Sequence, residues 1–317
     1  MRGRDGERWR DAVQWLAVTV LVGISGAACN DARDDGTNIG ASTVQTTTPD
    51  DESTAAAVDT TGGQRLDLGA DTAATEGDVD GTDDCTQDVD IVFVMDVSTS
   101  MGPLLDALAD EILVVDEALA ALGLPNPPHY GLVVFVDDAA ILGVGAPYPD
   151  VATLQQDFQS WSAFTSTDAQ IGGGEPNSTW PENSLDALYL AAAGFQWRPA
   201  GDATLRMIIH TTDDTFWDGP TTANGESIAH GYDEVVGALQ QRSIRTFSFA
   251  GQIGGSCECE DVTPGWSTPY QGKTPIPEAT DGDVFDIDLV LAGQLSLSAA
   301  INDAVGQTMC QPYTPVG

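Results

Sequence analysis

Positive charge is what this sequence has least of. Its 317 residues carry 11 Lys and Arg against 49 Asp and Glu, a formal net charge of -38, and Lys273 is the only lysine. Such a surface repels phosphate backbones, which excludes nucleic-acid binding. It equally excludes charge-driven docking on an anionic membrane. Divalent cations and basic partners are what an acidic chain suits. Five cysteines are too few for a disulfide-dense scaffold. Histidine is scarce and scattered: His129, His210 and His230 have no G-x-S-x-G elbow among them, so Ser/His/Asp catalysis lacks its signature. His210 ends an apolar run and reads as a packed residue at a sheet end. No internal repeat is present. An apolar fraction of 42% is nevertheless enough for one real core.

The N-terminus reads as an export address. Arg2, Arg4, Arg8 and Arg10 precede the apolar run AVQWLAVTVLVGISGAA at 12–28, which ends in small residues. Ser25-Gly26-Ala27-Ala28-Cys29 looks like a bacterial lipobox, with Gly26 where leucine is usual. Residues 1–29 are therefore expected to be a lipoprotein-type signal peptide, with Cys29 as the lipidated residue. Plain secretion and a signal anchor are the alternatives.

Residues 30–84 are rich in Asp, Thr, Ala and Gly and contain no aromatic residue; Leu66 and Leu68 are the only leucines. Such a segment cannot bury enough apolar surface to offset chain entropy, and it is expected to be a disordered acidic tether. About 55 residues of flexible coil span roughly 40 Å root-mean-square. Folded structure is expected from 85–317.

There, strand and helix patterns alternate. VDIVFVM at 89–95, YGLVVFV at 130–136, LRMIIH at 205–210 and IRTFSFA at 244–250 are near-continuous apolar runs, as in strands buried on both faces. Leu104, Leu108, Ile112, Val115, Leu119 and Leu122 recur at helical spacing, as do Leu185, Leu188, Ala192 and Phe195. Ile228, Val235, Val236 and Leu239 predict another helix, 284–287 a short strand and 295–309 a closing helix. The region 139–165 is less regular and is expected to hold an edge strand and loops. This alternation predicts an α/β fold, a doubly wound, mostly parallel central sheet flanked by helices. Ligands in such folds sit beyond the C-terminal strand ends.

The residues at those ends carry oxygen. Asp96-Val97-Ser98-Thr99-Ser100 follows the first strand, and alternation along an extended segment sends Asp96, Ser98 and Ser100 to one side. Thr211-Thr212-Asp213-Asp214 follows the third. Between them runs GGGEPNSTWPE at 172–182. A carboxylate and hydroxyl set of this kind suits Mg²⁺, Mn²⁺ or Ca²⁺ rather than zinc. Asp281-Gly282-Asp283 through Asp288 lacks the twelve-residue calcium-loop spacing and reads as a solvated acidic loop. Trp180 and Trp217 flank the proposed site; most of the other tryptophans read as loop residues.

The D-x-S-x-S run, with a T-x-D at a later strand end, resembles the von Willebrand factor A-type domain over about residues 85–312. The resemblance implies a metal-ion-dependent adhesion site in which Ser98 and Ser100 bind the ion directly and Asp96 and Asp213 act directly or through water. Pro181-Glu182 ahead of a helix resembles the integrin β I-like variant, which implies Glu182 as the third direct ligand. Thr179 is the rival and Glu175 a further alternative. Met101-Gly102-Pro103-Leu104 lacks the flanking acidic pair of that variant. The resemblance also favours a Cys85–Cys310 disulfide, because some members are closed at their ends in this way. Cys257 and Cys259 would then pair locally or between chains; joining each of them to a terminal cysteine stays open. The function implied is a non-enzymatic adhesion module in the cell envelope or at the cell surface, held to the membrane only by its lipid. It would capture an acidic side chain of a protein partner through a divalent cation. A structural envelope protein with a stabilising ion, or a metal-dependent hydrolase, is the alternative.

Overall fold

The computed structural model describes residues 87–316, apart from 175, 178–179, 201–202 and 252–260. The expected signal peptide with Cys29, the expected tether, Cys85, Cys257, Cys259, Glu175 and Thr179 lie outside the described residues. Among the described residues no helix is long and apolar enough to cross a membrane.

The chain opens with β1 (Asp88–Asp96), one 3-10 turn at Thr99–Met101 and the long α1 (Gly102–Ala121), whose first turn carries a proline. Next come β2 (His129–Phe135), the short β3 (Ala139–Ile141), α2 (Val151–Thr165) and α3 (Ser184–Gly194). Then follow β4 (Thr204–Thr212), a hairpin of β5 (Thr221–Ala223) and β6 (Glu226–Ile228), α4 (Tyr232–Gln241) and β7 (Ile244–Ala250). The described chain closes with α5 (Ile276–Ala279), β8 (Val284–Asp286), α6 (Ile287–Leu291) and α7 (Leu297–Thr308).

Six strands form one sheet in the order β3-β2-β1-β4-β7-β8. Every pairing is parallel except that of β3 with β2 at the edge. This is the doubly wound α/β architecture expected from the alternation. β1 is central, so its side chains serve both layers. Val89, Ile91, Phe93 and Met95 pack with residues of α1, α2 and α7, while Val92 and Val94 pack with residues of α3 and α4. That double burial is why the strand reads as an unbroken apolar run. Gly131 sits mid-strand in β2 because a Cβ there would come within 2.6 Å of the Phe195 ring.

Several sequence expectations are corrected. The region 139–165 holds the expected edge strand but also the fifteen-residue α2. Its signal was present: Leu154 and Phe158 are buried at helical spacing, and Asp150 Oδ1 accepts from Thr153 N at 2.8 Å as an N-cap. Ile228 belongs to the hairpin, not to a helix, because Gly231 and the acidic first turn at Asp233 and Glu234 start α4 only at Tyr232. Among the tryptophans expected in loops, Trp161 lies in α2 and Trp266 is fully buried. Asp281 is not simply solvated: it pairs with Arg245 Nη2 at 2.7 Å.

Charge is segregated along the strands. The N-terminal end gathers the cations: Arg198 Nε contacts Asp90 Oδ1 at 2.6 Å, and Arg206 donates to the carbonyls of Arg198 and Arg242. Arg245, second in β7, donates to Asp281 and to Pro312 O at 2.8 Å. Cys310, which is disulfide-bonded, also lies at this end, its N donating to Gln87 Oε1 at 2.8 Å.

The α1–α2 layer rests on Phe158, which is fully buried and meets Phe93 edge-on at 5.2 Å. Phe158→Ala is expected to destabilise the domain by about 3–5 kcal/mol. Val114→Ala, at an exposed site on α1, should be close to neutral. Denaturant titration of both variants checks this, and equal midpoints contradict it.

Candidate metal centre

The parallel register sets the site. Met95 of β1 stands opposite Thr211 of β4, so the chain leaves both strands at the same edge. Asp96 is the last residue of β1 and is completely buried. Its Oδ1 accepts from Ser98 N and its Oδ2 from Thr212 Oγ1, each at 2.8 Å. The carboxylate thereby shapes the turn that carries the two serines. Ser98 Oγ lies 3.3 Å from Ser100 Oγ, and Ser100 Oγ donates to Asp213 Oδ1 at 3.0 Å. Four of the five expected ligand residues are thus joined in one chain of contacts.

Glu182 arrives from the other side. Its N donates to Thr215 O at 3.2 Å, Trp217 N donates to its carbonyl at 3.0 Å, and Asn183 N donates to Val136 O at 2.8 Å. These bonds clamp the approach to α3 between the segments that follow β2 and β4. The Glu182 side chain, in a residue only 1% exposed, receives Asn177 Nδ2 on Oε1 at 3.1 Å. Its Oε2 is buried and meets no donor.

Ser98, Ser100, Glu182 and Asp213 line one cavity of about 300 Å³, together with Thr99, Asp168, Asn177, Trp180 and Asp214. No arginine or lysine is among these described lining residues. The electrostatic result is direct. Burial pushes the Asp96 carboxyl up to about 7, and the charge of Asp213 adds to the effect. Burial pushes Glu182 up to about 9, helped by the charge of Asp96 and, to a smaller degree, by those of Asp137 and Asp214. Burial raises Asp213 as well. Acids held this way without a countercharge lack the partner that would let them ionise.

A hard divalent cation fits that need. The donors are all oxygens, two of them neutral hydroxyls, and one buried carboxylate oxygen is free to ligate. Among the described residues no group of three or more His, Cys, Asp or Glu is gathered as a ready metal cage. The centre depends instead on serine hydroxyls set between carboxylates.

Sequence reasoning missed the supports. Thr212 holds Asp96, and Asn177 holds Glu182; the first sits in T-T-D-D and the second in the loop at 172–182, with nothing in the sequence to single out either. Asp137, fully buried just past β2, was missed altogether, since it reads as an ordinary acidic loop residue. Trp180 lines the cavity and is 64% exposed, whereas Trp217 is not among its lining residues. His210 is buried beside Phe135 and Trp266, with ring centroids 5.8 Å and 4.4 Å away, and burial lowers its pKa to about 3.

No known protein family's sequence profile matches the chain, and no curated protein is similar to it in sequence. Solved structures do align with it. The pilus adhesin SpaC from Lactobacillus rhamnosus GG is 14% identical with a TM-score of 0.42, over 68% of this chain and 31% of that one. Proximal thread matrix protein 1 from the mussel byssus, solved with a zinc-occupied MIDAS motif, is 16% identical with a TM-score of 0.40, over 71% and 46%. BatB from Bacteroides thetaiotaomicron is 16% identical with a TM-score of 0.39, over 69% and 98%. The aligned part of this chain spans less than a third of SpaC.

Two outcomes follow from the buried acids. Folded, metal-free protein keeps protons on Asp96 and Glu182 that the unfolded chain has already released, so its stability falls as pH rises from about 6.5 to about 9. Above about pH 7.5 His210 is neutral in both states and does not mask the slope. Millimolar Mg²⁺ or Ca²⁺ should flatten it; Tm measured with chelator and with metal decides, and a flat chelated curve contradicts the account. Glu182→Gln should raise the chelated Tm at pH 8 while removing most of the metal-dependent rise. A lower chelated Tm with the metal response intact would show Glu182 to be a packing residue only.

Proposed function

We propose that this chain is a von Willebrand factor A-type binding module of the bacterial cell envelope, with an integrin β-like middle loop. It engages a protein partner through a divalent cation held at the C-terminal edge of the sheet. Ser98 and Ser100 offer their hydroxyls to the ion, and Glu182 offers its donor-free Oε2. Asp96 and Asp213 contribute directly or through water. Asp96 also fixes the serine turn through Ser98 N, and Thr212 and Asn177 hold the two buried carboxylates in place. The single observation that carries the reading is Glu182 Oε2, buried without a donor beside a second uncompensated carboxylate.

A bound Mg²⁺, Mn²⁺ or Ca²⁺ supplies an exchangeable position that a partner's Asp or Glu can fill. The cavity opens beside Trp180, which leaves such a side chain a path to the ligand set. The module is a binder rather than an enzyme. It is exported and anchored through lipid on Cys29, and the acidic 30–84 segment carries it away from the membrane. The ion offsets the repulsion between an acidic domain and an acidic partner only locally, so binding depends on it wholly.

Pull-down from envelope extract tests this, with wild type in Mg²⁺, wild type in chelator, and Asp96→Ala in Mg²⁺. A partner retained only by wild type in Mg²⁺ is expected. A partner retained equally in all three removes the adhesion reading and leaves the ion a structural role.

A further inference from the structure

A second cavity, of about 430 Å³, lies beyond the candidate metal centre, between α3 and the β5–β6 hairpin. Its floor is one stripe of α3: Asp186, Tyr189, Leu190 and Ala193, at helical spacing. The opposite side of α3, with Leu185, Leu188 and Ala192, is already buried against the sheet. A helix that is apolar on both sides normally has both sides covered, yet Ala193 is exposed and Tyr189 and Leu190 are only half-buried. The outer stripe is a prepared surface of mixed character, apolar along its length and acidic at its rim.

The polar groups show what it lacks. Asp186 is saturated: it accepts from Asn183 Nδ2, from Ala229 N and His230 N, and from His230 Nδ1 at 2.8 Å. Glu226 at the rim makes no side-chain hydrogen bond or ion pair with any described residue. Asn183, only 3% exposed, also lines the cavity, and its Oδ1 is buried without a donor. Tyr189 and His230 stack with centroids 3.6 Å apart and planes 13° from parallel, giving the cavity a flat aromatic wall. No lysine or arginine lines it among the described residues.

An unpaired carboxylate, an acceptor lacking a donor, a flat ring wall and an aliphatic floor call for a planar cation on an aliphatic stem. We propose that this groove binds an arginine side chain of a partner protein. The stem lies along Leu190 and Ala193, and the guanidinium stacks on the Tyr189–His230 pair and donates to Glu226. The net charge of -38 steers any such basic group toward the domain. The proposal does not rest on the metal centre, because the groove has its own acceptors.

The test is ligand-observed NMR titration of the full chain in chelator, with N-acetyl-arginine amide as the probe. The citrulline analogue serves as its neutral isostere and the lysine analogue as the non-planar cation. Saturable arginine binding is expected, with citrulline and lysine each about tenfold weaker or worse. Glu226→Gln should weaken arginine about tenfold. Ala193→Trp, which fills the groove from an exposed position, should abolish it. Citrulline or lysine matching arginine would overturn the guanidinium assignment. Absence of saturation in the folded wild type, or indifference to both substitutions, would overturn the site. Working in chelator keeps either result separate from the fate of the metal reading.

Discussion

The organising constraint in this domain is an electrostatic debt at one edge of the sheet: Asp96 and Glu182 are buried side by side with no basic residue among those described around them. Burying an ionised carboxylate is unfavourable unless something opposite shares the space. The fold supplies hydrogen-bond donors to most of the oxygens, through Ser98 N, Thr212 and Asn177, and leaves one without. The arginines that could have neutralised the edge are at the other end of the strands, each committed to a carbonyl or an acid there. The partner we propose for this edge is therefore a mobile cation rather than a residue.

The groove on α3 answers a different deficiency. At the sheet edge the proposed partner is a point charge surrounded by oxygens. Along α3 it is an extended, partly apolar cation. Glu182 lines the first cavity and Asn183 the second. One peptide unit therefore separates the two, and the clamp formed by Glu182 N, Asn183 N and Trp217 N supports both.

The fold was legible in the sequence because the central strands are buried on both faces, which leaves an unmistakable run of apolar residues. The convergence of the candidate site residues was legible for a related reason: a buried strand that ends abruptly in Asp96, or in Thr212-Asp213, must be delivering polar atoms somewhere. Elements at the periphery were harder to read. α2 buries only a narrow stripe between polar residues, and the β5–β6 strands are three residues each, too short for a period to show. Asn177, Asp137 and Thr212 were invisible as supports because their importance lies in what they touch across the fold. Cys29, the residues expected to form a tether and three of the four remaining cysteines fall outside the described residues, so those readings stand on sequence alone.

The chain enters and leaves the described domain at the floor. Gln87 accepts from Cys310 N there, while the serine turn and Glu182 sit at the far end of the strands. A pull applied at Gln87 meets the domain at the start of a central strand, where the disulfide-bonded Cys310 lies close by. The oxygen-bearing crest lies at the opposite end of β1, away from the point where such a pull enters.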